Sequence, residues 1–259
     1  MEYCHFVNVD PETKQERMQH ITPDFPYGAD LCDLHIFPGN TFPWHWHREL
    51  EIFYMRKGSL TYHLPCGAVT FLQGEGGFIN SNILHKTTCT PEADCIQEEQ
   101  QFLPEFVGVN SLLQRKYVQP ILSSPELSFV KFDPATPEHR PLLELLCSSY
   151  RLYEEKPEGY ELELPQRLLQ FWRLLFELTQ PLHKSGHTSA DDQRIKQMLT
   201  FIAAHYAEPL QLSQIAAAAY MSPRACGRCF QSRLGTTPTA YLTDYRTQQA
   251  GQLLADSAL

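Results

Sequence analysis

Residues 39–58, GNTFPWHWHRELEIFYMRKG, restrict the fold of this chain more than any other stretch. The stretch contains, at fixed spacing, Gly39, His45, His47, Glu51 and Gly58. Successive side chains of a β-strand point to opposite faces, so the two histidines and the glutamate, all at odd positions, are predicted to share one face. Imidazole nitrogens and a carboxylate suit Mn, Fe, Ni or Zn. The spacing, G-x5-HxH-x3-E-x6-G, therefore predicts strands whose polar side chains converge inside a small barrel.

The residues around this stretch are typical of antiparallel strands. From about residue 31 to 103, short apolar runs such as LEIFYMRKG and GGFINSN are broken by Gly, Pro and Asn. Closely spaced runs of this kind indicate a sandwich or a barrel. Residues 104–137, interrupted by Pro and Ser, are expected to form irregular connections with short helices, and the mixed, polar residues 1–30 are expected to form an N-terminal arm.

The spacing of these polar residues resembles that of the cupin family. Residues 39–58 match its first motif at every defined position, and Gly74, residues 80–82 and His85 resemble its second. Three positions depart from the second motif, where its usual Pro, Gly and Asn are replaced by Asn80, Asn82 and Cys89. The resemblance implies an all-β cupin barrel (a double-stranded β-helix or jelly roll) over residues 31–137, with His85 as a fourth ligand.

Three roles stay open for His45, His47, Glu51 and His85. They could form an effector pocket, bind a divalent transition metal, or make structural hydrogen bonds inside the barrel. The predicted effector pocket also includes three aromatic residues, Trp44, Trp46 and Tyr62. Aromatic faces stack on sugar rings, which makes a sugar one candidate effector, although aromatic residues on barrel strands more often belong to the core.

Two helices are predicted after the barrel, at about 138–156 and 163–182. The second carries an apolar stripe at helical spacing, formed by Leu168, Leu169, Trp172, Leu175 and Phe176. A broad stripe needs a partner, and the partner is either the chain's own sheet or a second copy of the chain. We therefore predict that residues 138–182 form a helical hairpin that serves as a dimerisation element. The small, polar residues 183–193 are predicted to be a linker.

The chain beyond residue 194 reads as a series of short helices. Ser222 and Pro223 form a strong helix start, because serine caps free N–H groups and proline suits the first helical position. Within the helix that follows, the apolar residues Cys226, Cys229 and Phe230 share one face. Arg224, Arg228 and Gln231 share the other face, with Gly227 between them. A short helix, a tight turn and a second helix are the helix-turn-helix plan.

This C-terminal region resembles the DNA-binding domain of AraC/XylS transcription regulators. The match is carried by Pro209, Leu210, Ile215, Ala216, Ser222, Pro223, Arg228, Phe230, Gly235, Tyr241, Leu242, Arg246, Ala250, Leu253 and Leu254. The resemblance implies an all-α domain over residues 194–259 that binds promoter DNA, with Ser222, Arg224, Arg228 and Gln231 as contact residues. That family has two helix-turn-helix units, whereas this chain stops at Leu259 inside the helix that would join them. The second unit is expected to be absent, through truncation or degeneration.

The acidic residues lie mostly before the C-terminal region. The chain has 21 Lys/Arg and 30 Asp/Glu residues. Residues 191–259 hold six of the basic and five of the acidic residues, so 15 basic and 25 acidic residues lie before residue 191. A near-neutral C-terminal region is compatible with DNA, whereas a net charge of −9 for the whole chain argues against it. A zinc site at Cys226-x-x-Cys229 is not expected, because no second pair follows.

No membrane contact is expected from the sequence, because it has no run of about 18 apolar residues. Its first residues are too polar for a signal peptide, and its eight cysteines are scattered, as free thiols are in a reducing compartment. These features predict a cytoplasmic protein.

Together these features predict an effector-responsive DNA-binding transcriptional regulator that is not an enzyme and acts as a homodimer. Effector binding in the cupin domain would shift the populations of states that differ in promoter binding. Two alternatives stay open: a metal-dependent cupin enzyme of the isomerase or dioxygenase type, and a degenerate sensor that does not bind DNA.

Overall fold

The computed structural model describes residues 9–10, 14–16, 21–22, 24–65, 67–91, 94–124, 126–182, 190–234, 236–243, 245–246 and 250. Its N-terminal half is built from antiparallel strands. The strands are β1 Tyr27–Asp33, β2 Thr41–His45, β3 Leu50–Leu64, β4 Gly67–Leu72, β5 Gly76–Ile79, β6 His85–Thr88, β7 Cys95–Phe102 and β8 Phe129–Phe132. β1 begins inside the range predicted for the N-terminal arm.

The long strand β3 is shared by two sheets. Its first part, Leu50–Gly58, pairs with β7 and β5, and its second part, from Ser59 onward, pairs with β4 and β6. The change of partner falls at Gly58, which has φ 72°. A Cβ atom here would lie 1.5 Å from the backbone oxygen of Asp94, so a residue without a side chain is required. The last glycine of the first motif therefore lets one strand serve both sheets.

The remaining pairings extend the two sheets outward from β3. One sheet has the order β1-β7-β3-β5-β8. In the other sheet, β2 pairs with β6, and both β6 and β4 pair with β3. Among the described residues, β1, β8, β2 and β4 each have a single pairing partner and are therefore edges. The antiparallel strands predicted between residues 31 and 103 are confirmed, as two sheets that share a strand. Within the part of the chain that the structure describes, their backbone pairing does not close into a ring.

Helices from the middle of the chain cover one sheet. They are α1 Ser111–Leu113, α2 Gln119–Leu122, α3 Arg140–Glu155 and α4 Tyr160–Thr179. The predicted hairpin is formed by α3 and α4, which are joined at Lys156 and Gly159, both with positive φ. On α4, Leu168, Trp172 and Leu175 are buried in the same cluster as the sheet residues Phe78, Phe102 and Phe132, and Leu169 and Phe176 pack against it. The apolar stripe thus has its partner within this chain.

Asn80 explains one departure from the second cupin motif. Its buried side chain donates hydrogen bonds to the backbone oxygens of Ile121 and Leu127, at 2.8 and 2.9 Å. These bonds tie the residue after β5 to α2 and to the connection that follows α2. Asn82, in the position that usually holds Gly, adopts φ 60°. Asparagine tolerates this left-handed conformation better than most residues, so the second departure keeps the backbone shape of the motif.

The C-terminal region contains α5 Ala190–His205, α6 Leu212–Ala218 and α7 Pro223–Leu234, and residues 238–243 and 245–246 are also helical. Their core is one apolar cluster, whose members include Ile195, Met198, Leu199, Ile202, Ile215, Cys226, Cys229, Phe230, Tyr241 and Tyr245. Arg246 donates to the backbone oxygens of Tyr206 and Glu208 and so ties the helical residues 245–246 to the segment just after α5.

Part of the predicted linker is helical, because α5 begins at Ala190 and includes residues 190–193. The remainder of that linker, 183–189, and the helix end predicted at Gly235 lie outside the described residues, as do Leu253 and Leu254. Within the described ranges, no helix combines the length and the apolar character needed to cross a membrane.

Candidate ligand site and DNA-binding face

Three different parts of the fold bring the predicted polar residues together. His45 ends β2, His47 lies in the connection to β3, and Glu51 lies on β3. The prediction that these three residues alternate along one strand is wrong, because the chain turns between His47 and Leu50. They converge all the same, and His85 at the start of β6 pairs directly with His45 across the sheet.

The cluster is compact and sealed from solvent. A ring nitrogen of each of His45, His47 and His85 lies within 4.8 Å of the other two. The Glu51 Oε2 atom lies 3.2 Å from His47 Nε2 and 3.4 Å from His85 Nε2. The His47, His85 and Glu51 side chains are at most 2% exposed. The four residues therefore form one buried polar group.

Backbone carbonyls fix the orientation of all three imidazoles. Nδ1 of His45 lies 2.9 Å from the Pro43 oxygen, Nδ1 of His47 lies 2.9 Å from the Glu49 oxygen, and Nδ1 of His85 lies 2.8 Å from the Ile83 oxygen. A carbonyl oxygen can only accept a hydrogen bond, so each Nδ1 carries the proton. In the neutral rings, each Nε2 then presents its lone pair to the centre of the cluster. Metal-binding histidines are commonly held by such an outer hydrogen bond.

This donor set fits a divalent transition metal. The Nε2 atoms of the neutral rings and the Glu51 carboxylate oxygen that contacts His47 and His85 are all acceptors, so a cation or bound protons must separate them. Metal–nitrogen bonds of about 2.0–2.1 Å allow two ligand nitrogens to lie at most about 4.2 Å apart, slightly less than the 4.8 Å within which the three ring nitrogens lie. Mn, Fe, Ni and Zn all accept imidazole and carboxylate ligands. The residues that could hold such an ion are His45, His47, Glu51 and His85.

The charges in the metal-free cluster follow from burial and contact. Burial lowers the pKa of His47, but the Glu51 carboxylate overrides this and raises that pKa to about 8. Burial alone would raise the pKa of Glu51, yet hydrogen bonds with His47 and His85 hold it well below its usual range. Burial, together with His85 and His47, lowers the pKa of His45 well below its usual value. At neutral pH the cluster therefore holds a His47 imidazolium beside a Glu51 carboxylate.

Tyr62 extends this group into a longer polar network. Its hydroxyl donates to Glu51 Oε1 at 2.5 Å and lies 3.3 Å from the Gln97 side-chain oxygen. The amides of Gln97 and Gln101 both donate to the carboxyl group of Glu99. Burial, with the nearby Glu51 charge, raises the pKa of Glu99 well above its usual value. The β7 residues were not predicted from the sequence; the signal that could have found them is the unbroken polar run QEEQQ, residues 97–101, on a strand that is mostly buried.

The two tryptophans lie away from this polar network. Trp44 and Trp46 flank His45 on the opposite face of the chain and pack, half-buried, against the apolar cluster of the C-terminal helices. Leu84, next to His85, is buried in that same cluster. Residues adjacent to the histidines therefore contact the C-terminal region directly.

A short N-terminal segment, Lys14–Glu16, lies beside the histidines. Its backbone pairs with Trp46: the Glu16 N–H donates to the Trp46 oxygen at 2.9 Å, and the Trp46 N–H donates to the Lys14 oxygen at 3.0 Å. Glu16 Oε2 lies 3.5 Å from His45 Nε2. Lys14 is buried, with Nζ 3.6 Å from the centre of the Tyr245 ring. The sequence assigned these residues to an arm but did not single them out.

The predicted DNA-contact residues lie on one exposed face of α7. Ser222, Arg224, Arg228 and Gln231 are all exposed. The opposite face, formed by Cys226, Cys229 and Phe230, is buried. Ser222 also caps the helix, since its hydroxyl accepts from the Ala225 N–H at 3.3 Å. The two-faced helix that the sequence predicts is confirmed, whereas its role in DNA binding stays a prediction.

Comparison with known proteins gives one curated relative and several distant structures. No family model matches the chain. An uncharacterised HTH-type transcriptional regulator, YdeC of Bacillus subtilis (strain 168), is 28% identical over 240 residues, which span 93% of this chain and 82% of that protein.

Similar solved structures include that of ToxT from Vibrio cholerae with a bound unsaturated fatty acid. ToxT is 13% identical to this chain, the match covers 87% of this chain and 97% of the ToxT chain, and the TM-score is 0.43. A cupin-2 domain protein of Shewanella frigidimarina is 22% identical over 33% of this chain and 74% of its own, with a TM-score of 0.26.

Proposed function

We propose that this chain is a transcriptional regulator that binds promoter DNA through α7 and responds to a ligand bound at the histidine cluster. The observation that carries the proposal is the two-faced α7, which follows α6 after a tight turn and presents Arg224, Arg228 and Gln231 to solvent. The similarity to a curated HTH-type transcriptional regulator over 93% of the chain supports the same function.

The chemistry of the exposed face of α7 suits the major groove. An arginine side chain can donate two hydrogen bonds to guanine O6 and N7, and a glutamine can pair with adenine N6 and N7. Ser222 stands at the N-terminus of α7, where free N–H groups and the helix dipole favour a phosphate. Gly227 leaves open space on this face, because no atom lies within 4 Å of the point that a Cβ atom would occupy, so the helix can approach the bases closely.

DNA binding is tested by fluorescence anisotropy with a labelled duplex from the region upstream of the protein's own gene. We expect Arg228→Ala to weaken binding by about 1–3 kcal/mol if the arginine contacts a base. Arg173→Ala is the matched control, because Arg173 is equally exposed but lies on α4, paired with Glu177. Equal binding by both variants, or no specific binding by the folded wild-type chain, would contradict the proposal.

The effector site that we propose is polar. Its lining combines the three histidines with Glu51, Tyr62 and the β7 residues Gln97, Glu99 and Gln101. Such groups match hydroxyl-rich molecules, because imidazole, carboxyl and amide groups all hydrogen-bond to hydroxyls, and they also match a divalent metal. A sugar and a metal ion are thus the two ligand classes proposed here. Thermal-shift screening of both classes tests them, since a ligand at 100 times its Kd stabilises the chain by about 2.7 kcal/mol.

A ligand bound at the histidine cluster would affect the DNA-binding region through a few direct contacts. His45 faces the cluster, while its neighbours Trp44 and Trp46 pack against the C-terminal core. Lys14, in the predicted arm, contacts Tyr245 at the far end of that core. A ligand that prefers one arrangement of these contacts would shift the population of DNA-binding states. Deletion of residues 1–20 should abolish the ligand effect on DNA binding; an unchanged ligand effect would rule the arm out as the coupling element.

A homodimer is part of the proposal, because promoter-binding regulators commonly bind two half-sites. The buried stripe of α4 is occupied by the chain's own sheet, so the dimer needs another surface. Leu162, at the start of α4, is 76% exposed and marks one such surface on the helical hairpin. Light scattering of Leu162→Glu against the wild-type chain tests this assignment: a dimer that persists unchanged would exclude this surface.

A metal-dependent enzyme is the second candidate function. One observation favours it, namely that three buried histidines have ring nitrogens within 4.8 Å of one another and that the Glu51 carboxylate contacts two of them. Metal analysis of the purified protein, compared with His47→Ala, tests whether the site holds an ion. Turnover by a metal-loaded chain that shows no specific DNA binding would favour the enzyme over the regulator.

A further inference from the structure

Glu16 places a second carboxylate at the histidine cluster. Its Oε2 atom lies 3.5 Å from His45 Nε2, and the Glu16 and His45 side chains are 11% and 6% exposed. A carboxyl group that is buried without a cation is costly, and a cation beside His45 would remove that cost.

The backbone holds Glu16 in this position. The N–H of Glu16 donates to the Trp46 oxygen, and the N–H of Trp46 donates to the Lys14 oxygen. Residue 46 separates the two histidines of the motif, so the N-terminal segment runs directly alongside them. His45 Nε2 keeps its lone pair for an ion, because its Nδ1 proton is donated to the Pro43 oxygen. Its distance of 3.5 Å to the Glu16 Oε2 atom suits two ligands of one ion, because metal–ligand bonds of about 2.0–2.2 Å allow ligand atoms to lie up to about 4.2 Å apart.

We propose that Glu16 is a fifth ligand of a divalent transition metal bound by His45, His47, His85 and Glu51. Docking of the Lys14–Glu16 segment and binding of the ion are then one event, because the same carboxylate takes part in both. Three nitrogens and two carboxylate oxygens give a mixed N/O set, which favours Mn, Fe or Ni over a tetrahedral structural zinc site. The inference concerns the site of the proposed function but does not depend on DNA binding.

The direct test is calorimetric titration of the full chain with Co²⁺ alone. Glu16→Gln keeps the shape of the side chain and removes its charge, and we expect it to weaken Co²⁺ binding about 10- to 100-fold, as loss of a partner in a metal site typically does. Glu49→Gln is the matched control. The Glu49 side chain also adds negative charge near Glu16 and His47, but it forms no contact of its own to the histidines.

A second variant distinguishes loss of a metal ligand from loss of folding in Glu16→Gln. Glu16→His replaces one metal-binding group with another, and we expect its Co²⁺ affinity to be closer to the wild-type value than that of Glu16→Gln. Circular dichroism without metal reports whether each variant is folded. Equal weakening in Glu16→Gln and Glu49→Gln would mean that charge alone acts, and it would overturn the proposal.

Hydrogen exchange of the wild-type chain gives a readout that needs no variant. Co²⁺ should slow exchange of the Glu16 and Trp46 amides, because both donate hydrogen bonds in the backbone pairing of residues 14–16 with Trp46, which the bound ion would stabilise. Unchanged exchange at saturating Co²⁺, or no Co²⁺ binding at all, would also overturn the proposal. Neither result bears on the anisotropy experiment with DNA, so failure of this inference and failure of the proposed function can be told apart.

Discussion

Removal of the His47 imidazole should destabilise the metal-free chain strongly, because it leaves the Glu51 charge buried. The two side chains are 1% and 2% exposed, with 3.2 Å between His47 Nε2 and Glu51 Oε2. Loss of one partner from a buried ion pair costs about 3–5 kcal/mol. Glu51 would keep its contacts with Tyr62 and His85. We therefore expect His47→Ala to lower the free energy of unfolding by about 3 kcal/mol, the low end of that range.

A double-mutant cycle separates the charge from the lost packing. Glu51→Gln should be nearly neutral without metal, because its amide can donate to the Nε2 atoms that now face a carboxylate. In that background, His47→Ala should cost only about 1–2 kcal/mol, the cost of a neutral hydrogen bond and some packing. Urea unfolding in the presence of a chelator measures all four proteins. A coupling energy below about 0.5 kcal/mol would refute the claim that the two groups form a charged pair.

Three further predictions concern the framework around the site. Gly58→Ala should destabilise the chain by at least about 2 kcal/mol in urea unfolding, because a Cβ atom here would overlap the Asp94 backbone. Gly39 also has a positive φ, 66°, but open space around it, so Gly39→Ala should cost clearly less in the same assay. Asn80→Ala should cost about 2 kcal/mol in thermal or urea unfolding, since it removes two buried hydrogen bonds, although the Ile121 oxygen keeps the Ser124 N–H as a donor; a cost under about 0.5 kcal/mol would show that water replaces the amide. Gly227→Ala should stabilise α7 by about 0.5–1 kcal/mol by circular dichroism melting, and destabilisation would show that this position is not open.

Local spacing was enough to predict that His45, His47 and Glu51 lie together, because they are close in sequence, whereas His85 was predicted from the resemblance to the second cupin motif. His45, His47, Glu51 and His85 meet as predicted, even though the first three do not lie on a single strand. The helices from α3 to α7 follow from apolar periodicity and from strong start signals such as Ser222 and Pro223. These features depend on neighbours within a few residues, which the sequence displays directly.

The contacts between distant segments could not be predicted in this way. Nothing near Glu16 in the sequence indicates that it reaches His45, since the pairing is set by backbone hydrogen bonds to Trp46. Aromatic residues fit a ligand pocket and an apolar interface equally well, so composition could not place Trp44 and Trp46 against the C-terminal core. The stripe of α4 likewise indicated a partner without identifying the chain's own sheet as that partner.

The most direct test of the central claim measures DNA binding with the histidine cluster empty and filled. The ligand is the sugar or divalent metal that raises the melting temperature most, and the readout is anisotropy of the labelled upstream duplex. We expect saturation to change the Kd for DNA about 5-fold or more in the wild-type chain, and not in Glu51→Gln. An unchanged Kd in a wild-type chain that demonstrably binds the ligand would contradict the account.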